Sequence, residues 1–208
     1  MREELLPLFP LPLVLFPRTP LPLHIFEEKY KEMIGEAIAT HTEFGIVLSR
    51  DQGVVNCGCT ATVEQVLQRY PDGRMDILTV GRRRFEASEL VEGKAYLQGR
   101  VHFFDDEQFE PVPMDVRQVA LQGYANALKA TGQQAPEPEW DDPQLSFQLA
   151  RILDDADFRQ QLLTLRSERH RMQQLADYFP EYIVRWRHSE HIRSVAPHNG
   201  HGRLGGGS

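Results

Sequence analysis

The chain has 208 residues, 41% of them hydrophobic and 25% charged, a balance that supports a globular core and excludes global disorder. Its formal net charge of −7 argues against a general nucleic-acid coat or a binder of anionic membranes, both of which carry cationic surfaces. The two cysteines, Cys57 and Cys59, are too few for a disulfide framework, so a reducing compartment, the cytoplasm, is the expected location.

The first apolar stretch, residues 5–15, is broken by Pro7, Pro10 and Pro12 and follows Glu3 and Glu4. It is too short and too proline-rich for a spanning helix, and it lacks the basic start of a signal peptide. Residues 5–8 and 13–16 therefore read as edge strands and turns. The period then changes. Phe26, Tyr30, Met33, Ile34, Ala37 and Ile38 fall on one face of a helix. Residues 44–48 form a short apolar strand. Residues 60–70 alternate as a long strand, Pro71-Asp72-Gly73 supplies a turn, and residues 75–80 return as the hairpin partner. Residues 95–104 are a further strand.

Helices dominate from there. Val116, Val119, Ala120, Gly123, Tyr124, Ala127 and Leu128 follow the helical period, and residues 133–143 form an acidic, proline-rich loop. Leu145, Leu149, Ile152 and Leu153 mark a second helix. Residues 154–157 offer N-cap candidates for a third, which begins with Phe158 and Leu162. Ser167 caps a fourth, with Met172, Leu175, Ala176 and Phe179 on one face, and Pro180 predicts a kink or a stop. The expected division is residues 1–110 as a β subdomain, 111–195 as a helical one, and 196–208 as a mobile Gly- and His-rich tail. The link between the halves carries Asp105, Asp106, Glu107 and Glu110.

No phosphate-cradling Gly-x-x-x-x-Gly-Lys-Ser/Thr loop, Gly-x-Ser-x-Gly elbow or His-Glu-x-x-His motif occurs, so no catalytic residue is assigned and no cofactor is expected. Cys57 and Cys59 share a strand face, but their spacing is short for a zinc pair and no second pair exists. They read as small buried strand residues, and no metal is expected. His188, His191, His198 and His201 read as a solvated, frayed terminus. In a regular strand Arg82 and Arg84 would share one face and Arg83 the other, each exposed and pairing with acids such as Glu86 and Glu89. The proline-punctuated segment is the candidate binding surface: a groove lined by Phe16, Arg18, Leu21 and His24 and bordered by Arg82. Prolines 17, 20 and 22 hold it extended and remove sheet donors, which leaves carbonyls and apolar side chains for an incoming peptide. The competing role for Phe16 and Leu21 is to fill the end of the barrel.

Leu6-Pro7-Leu8-Phe9-Pro10-Leu11, Val14-Leu15-Phe16-Pro17 and Pro20-Leu21-Pro22-Leu23-His24-Ile25-Phe26-Glu27 stand in order. Gly58-Cys59-Thr60-Ala61, Pro71-Asp72-Gly73-Arg74, Gly81 with Arg84-Phe85, and Arg171-Met172-Gln173-Gln174-Leu175 follow. Over about residues 5–180 this series resembles the Lon protease N-terminal (LON substrate-binding) domain family in a stand-alone form. The resemblance implies an α+β fold, a PUA-like β pseudobarrel followed by a C-terminal helical bundle. It also implies a non-catalytic protein- or peptide-binding module, since the ATP-binding loop and Ser/Lys pair of the full proteases are not found. Its partners would be unfolded or extended protein segments, or a protein partner, with nucleic acid disfavoured and no membrane. Two alternatives stand beside it: an RNA-binding PUA-like protein using Arg82 to Arg84 and the basic residues Arg185, Arg187 and Arg193, and a small hydrolase without a recognisable motif.

Overall fold

The computed structural model describes residues 3–107 and 110–195. The expected mobile tail, with His198 and His201, lies outside them. Six strands come first: β1 (Glu4–Leu11), β2 (Pro20–Ile25), β3 (Phe44–Arg50), β4 (Gly53–Arg69), β5 (Met75–Val91) and β6 (Gln98–Phe104). A helix, α1 (Glu28–Thr40), crosses between β2 and β3. Then come α2 (Met114–Thr131), α3 (Leu145–Leu149) running into a 3-10 turn (Ala150–Ile152), α4 (Ala156–Thr164) and α5 (Glu168–Val195). The strand-rich half followed by helices is the α+β architecture expected from the sequence.

Five strands close into a ring. β1 pairs with β3 in parallel, and β3–β4, β4–β5, β5–β6 and β6–β1 are antiparallel. β2 stands outside the ring and pairs only with the first half of β5, Pro20 opposite Val80 through Ile25 opposite Met75. The second half of β5 takes β6 on that same edge. The changeover falls near Gly81, where backbone crowds backbone: a Cβ there would stand 2.1 Å from the Phe16 carbonyl oxygen. Glycine is the residue that permits this approach.

β2 is a regular strand despite its prolines, because of their phase. The Gly81 amide donates to the Thr19 carbonyl at 3.0 Å. In an antiparallel ladder the residues two apart, Leu21 and Leu23, then face β5 as well. Pro20 and Pro22 fall on the free side, where a missing N–H breaks no ladder bond. Residues 13–16, expected as a short strand, instead form an irregular segment leading into a turn at Pro17 and Arg18.

Two apolar clusters hold the molecule. Leu6, Leu8, Val47, Phe85 and Val101 fill the ring. The larger cluster begins under α1 with Met33 and Ile34, passes through Phe16, and continues into Phe147, Leu162, Met172 and Phe179 of the helices. Each such fully buried side chain contributes about 1.5–3 kcal/mol relative to exposure. α2 and α5 approach closely at Gly123, where a Cβ would lie 2.8 Å from that of Phe179. The predicted caps are in place. The Asp155 carboxylate accepts the Phe158 amide at 3.0 Å, and the Ser167 hydroxyl accepts that of His170 at 3.3 Å. Pro180, by contrast, does not stop α5, which carries it internally. Phe179 and Tyr182 on either side are buried, so their packing offsets the lost backbone bond.

Candidate functional site

The site is built around two adjacent aspartates just beyond β6. Asp106 points inward and bridges two buried arginines. Its carboxylate accepts from Arg171 at 2.6 and 2.7 Å and from Arg84 at 2.7 Å. Arg84 also donates to the carbonyls of Leu163 and Leu165, at 3.2 and 2.6 Å, and Arg171 donates to that of Leu165 at 2.7 Å. Phe147 lies beneath both guanidinium groups. Glu168 completes the cluster, bonding Arg171 at 2.9 Å and accepting the Ser146 hydroxyl at 2.6 Å. Burial by itself would raise Asp106, but the bonds from Arg171 and the charge of Arg84 outweigh it and hold the carboxyl below the usual range. Glu168 goes the other way, raised chiefly by burial. Such a buried network is tolerable only because its donors and acceptors are matched.

Asp105 points outward, with 82% of its side chain exposed. It stands at the edge of a cleft of about 910 Å3 between the start of α2 and the loop that precedes α3. That volume is typical of ligand-binding clefts. Glu110, Pro111, Val112, Met114 and Arg117 line one side, Trp140, Asp141, Asp142, Pro143 and Gln144 the other, with Arg18 and Glu168 also contributing. Met114 is 79% and Trp140 42% exposed. The Trp140 indole N–H donates to Glu137 at 3.1 Å, and its carbonyl accepts from Arg117. Asp142 is buried and tied by the Gln144 amide at 2.8 Å and by Arg18 and Gln148. Burial would raise its carboxyl too, but these bonds keep it low. The cleft thus offers carboxylates, two engaged arginines and apolar surface, suited to holding a chain. Among the described residues its lining contains no serine, cysteine, histidine or lysine.

The five residues proposed for the groove do not converge. Phe16 is fully buried, its ring stacked on Phe147 at 5.0 Å, so it fills the junction and presents no surface to a ligand. Arg18 does reach the cleft. Its backbone is left-handed, with φ 55°, and is held by its amide bond to the Gly81 carbonyl at 2.8 Å and by Arg151 donating to its own carbonyl at 2.9 Å. Leu21 is half-buried in β2. His24, farther along β2, contacts Asp76 through Nδ1 at 2.5 Å beside Phe26 and Tyr70. Arg82 pairs with Glu64 and bonds the Thr62 hydroxyl at 2.8 Å.

The arginine run breaks the expected alternation. Arg82 and Arg83 are both exposed, while Arg84 and Phe85 are both buried. The cause is an irregularity in the β4–β5 register between Cys59 and Ala61. There the Thr60 hydroxyl accepts the Arg83 amide at 2.9 Å. Arg83 pairs with Glu43 at 3.0 Å, so each of the three guanidinium groups already faces a carboxylate. Cys57 and Cys59 are buried, and burial raises both thiols, Cys57 to about 12. Among the described residues, no group of His, Cys, Asp and Glu is arranged to hold a metal, and no helix is long and apolar enough to cross a membrane.

Apart from Arg18, the residues that form the cleft were not expected to bind, although an exposed tryptophan in an acidic, proline-rich loop and a methionine opening a helix were visible signals. Together the β ring, the helical layer docked on it and the cleft beside their junction define a mixed barrel-and-helix domain. The chain belongs to the family described as the ATP-dependent protease La (LON) substrate-binding domain, whose family model matches residues 5–184. It is 31% identical over 112 residues to a Lon protease of Parabacteroides distasonis, covering 50% of this chain and 14% of that protein. It is 29% identical over 139 residues to one of Roseiflexus castenholzii, covering 63% and 16%. The matched region is therefore a small fraction of those proteases. A Lon N-terminal domain protein from Xanthomonas campestris has the same fold, with a TM-score of 0.67 at 23% identity over 84% of this chain and 98% of that one. So does the N-terminal domain of a Mycobacterium avium complex Lon protease, with a TM-score of 0.62 at 17% identity over 86% and 100%.

Proposed function

We propose that this chain is a cytoplasmic polypeptide-binding module that takes unfolded or extended protein segments and does not itself cleave them. The observation that carries this reading is the match of residues 5–184 to the substrate-binding domain family. The cleft supports it, being open, lined from four separate stretches of chain, and carrying exposed apolar surface beside charge. We read residues 1–110 and 111–195 as two subdomains docked on one core, with limited proteolysis cutting first in residues 133–143 or in the acidic link. The test of function is fluorescence anisotropy with a labelled, permanently unfolded protein, such as reduced and carboxymethylated lactalbumin, against its native form. Saturable binding of the unfolded form alone is the expected result. Equal binding of both forms, or of neither, would refute the proposal.

A further inference from the structure

We infer that the cleft is the middle section of one continuous trough, which holds a single extended chain over about ten residues or more, by length rather than by sequence. This rests on the polypeptide-binding reading and names the footprint of the ligand at that same site.

The continuity is read from shared walls. Asp105 and Gln144 line the cleft and also a second hollow of about 360 Å3, which lies beside Arg82, Arg83 and Phe103. Where the two meet, the Gln144 side chain donates to Asp105 at 3.1 Å. On the other side, Met114 and Arg117 line the cleft and also a third hollow, of about 400 Å3, whose remaining lining is Gln118, Leu121, Gln122 and Ala125. These positions recur every three or four residues and so follow one face of α2. From Met114 to Ala125 that face runs about 16 Å along the helix, a length that about five extended residues cover. The cleft, at about 910 Å3, is larger than either neighbour. A chain lying through all three sections therefore needs at least about as many residues again.

The chemistry of the walls suits a chain of any sequence. Charge does not sort one segment from another, because most charged groups along the trough already meet partners. Arg82 is engaged by Glu64, Arg83 by Glu43, Arg18 by Asp142, Glu110 by Arg169, and Arg117 by the Trp140 carbonyl. Along α2 the exposed groups are Met114, Gln118, Gln122 and Ala125. A glutamine amide both donates and accepts, and each peptide unit offers one donor and one acceptor. Gln122 donates to Asn126 at 3.1 Å, which leaves its amide oxygen to accept. Met114 and Ala125 add apolar contact at the two ends of the strip, and the methionine side chain adapts to whatever it meets. Such a surface selects a stretch of free backbone. A chain folded on itself cannot lay that length into the trough, whereas an unfolded one can.

The experiment compares neutral fluorescein-labelled peptides of four, eight, twelve and sixteen residues, all built from one repeat of leucine, serine and glycine, by anisotropy. The affinity is expected to rise about a hundredfold from four to twelve residues, more than the added registers of a longer chain supply, and to level off by sixteen. The variant Gln118→Glu, Ala125→Glu changes two exposed helical positions and should keep its melting temperature. The twelve-residue peptide should bind it about tenfold more weakly. Affinity that does not change with length overturns the trough and leaves polypeptide binding intact. A rise with length that the α2 variant does not touch overturns α2 as part of the path. A helical far-ultraviolet signal from the bound peptide overturns the extended conformation. If no peptide binds but unfolded lactalbumin does, the footprint fails alone; if nothing binds, the functional reading fails with it.

Discussion

Asp105 and Asp106 are adjacent in sequence and stand in opposite settings. Asp106 is enclosed by Arg84 and Arg171, and the bonds it accepts tie the end of β6, the second half of β5 and the first turn of α5 into one junction. Asp105, one residue earlier, extends to the cleft mouth with 82% of its side chain exposed, its carboxylate reached by Arg84 only at 3.4 Å and by the Gln144 side chain at 3.1 Å. The same side chain anchors a junction when burial forces close matching, and stays largely solvated in a looser contact when it does not.

The most severe way to break this contrast is Asp106→Ala, which strands two buried guanidinium groups. Losing one partner of a buried pair costs about 3–5 kcal/mol, and the loss should be read as a lower denaturant midpoint with an unchanged slope. Gly81→Ala comes next. The new methyl would meet the Phe16 carbonyl, a backbone atom that cannot swing aside, at a cost of about 1–3 kcal/mol. A melting temperature within experimental error of the parent would show that the β5 changeover is looser than described.

Acid tests the junction without mutation. Asp106, Asp142 and Asp155 all lie below the usual carboxylate range in the folded chain, despite the burial that opposes this. Folding therefore favours their ionised forms. That stabilisation is complete above about pH 5, where unfolded carboxylates are ionised, and is lost as pH falls through the lower folded values. Glu168, raised by burial, works in the opposite sense. Thermal melts between neutral and acid pH should show the loss, and Asp106→Asn should show less of it. The smallest effect on stability belongs to the cleft mouth. Asp105→Ala and Trp140→Ala should each stay within about 0.5 kcal/mol, while Trp140→Ala weakens peptide binding. A large drop in stability in either variant would place these residues with the junction instead.

What the sequence made legible was local. The helical period of residues 26–38 gave α1, the Pro-Asp-Gly turn gave the β4–β5 hairpin, and Asp155 and Ser167 announced their caps, because each signal lies within a few residues. Arg84 was not legible. A strand of fixed alternation exposes it, and only the irregularity opposite Thr60 turns it inward beside Phe85. β2 was misread for a related reason, since the harm a proline does depends on which side of the strand the partner occupies. The cleft depends on residues 140–144 meeting residues 105–117, a long-range docking that no local pattern encodes. Of the residues expected in a groove, Arg18 reaches this cleft, while His24 and Arg82 belong to other surfaces.

The prolines of β2 have one more consequence. Under the function proposed above the chain would meet sticky, strand-forming segments, and an open sheet margin is where these would stack into ordered aggregates. With Pro20 and Pro22 on that margin, the growing end of a cross-β array finds two gaps in succession where it needs donors. That margin of the sheet is thereby a poor template for strand addition.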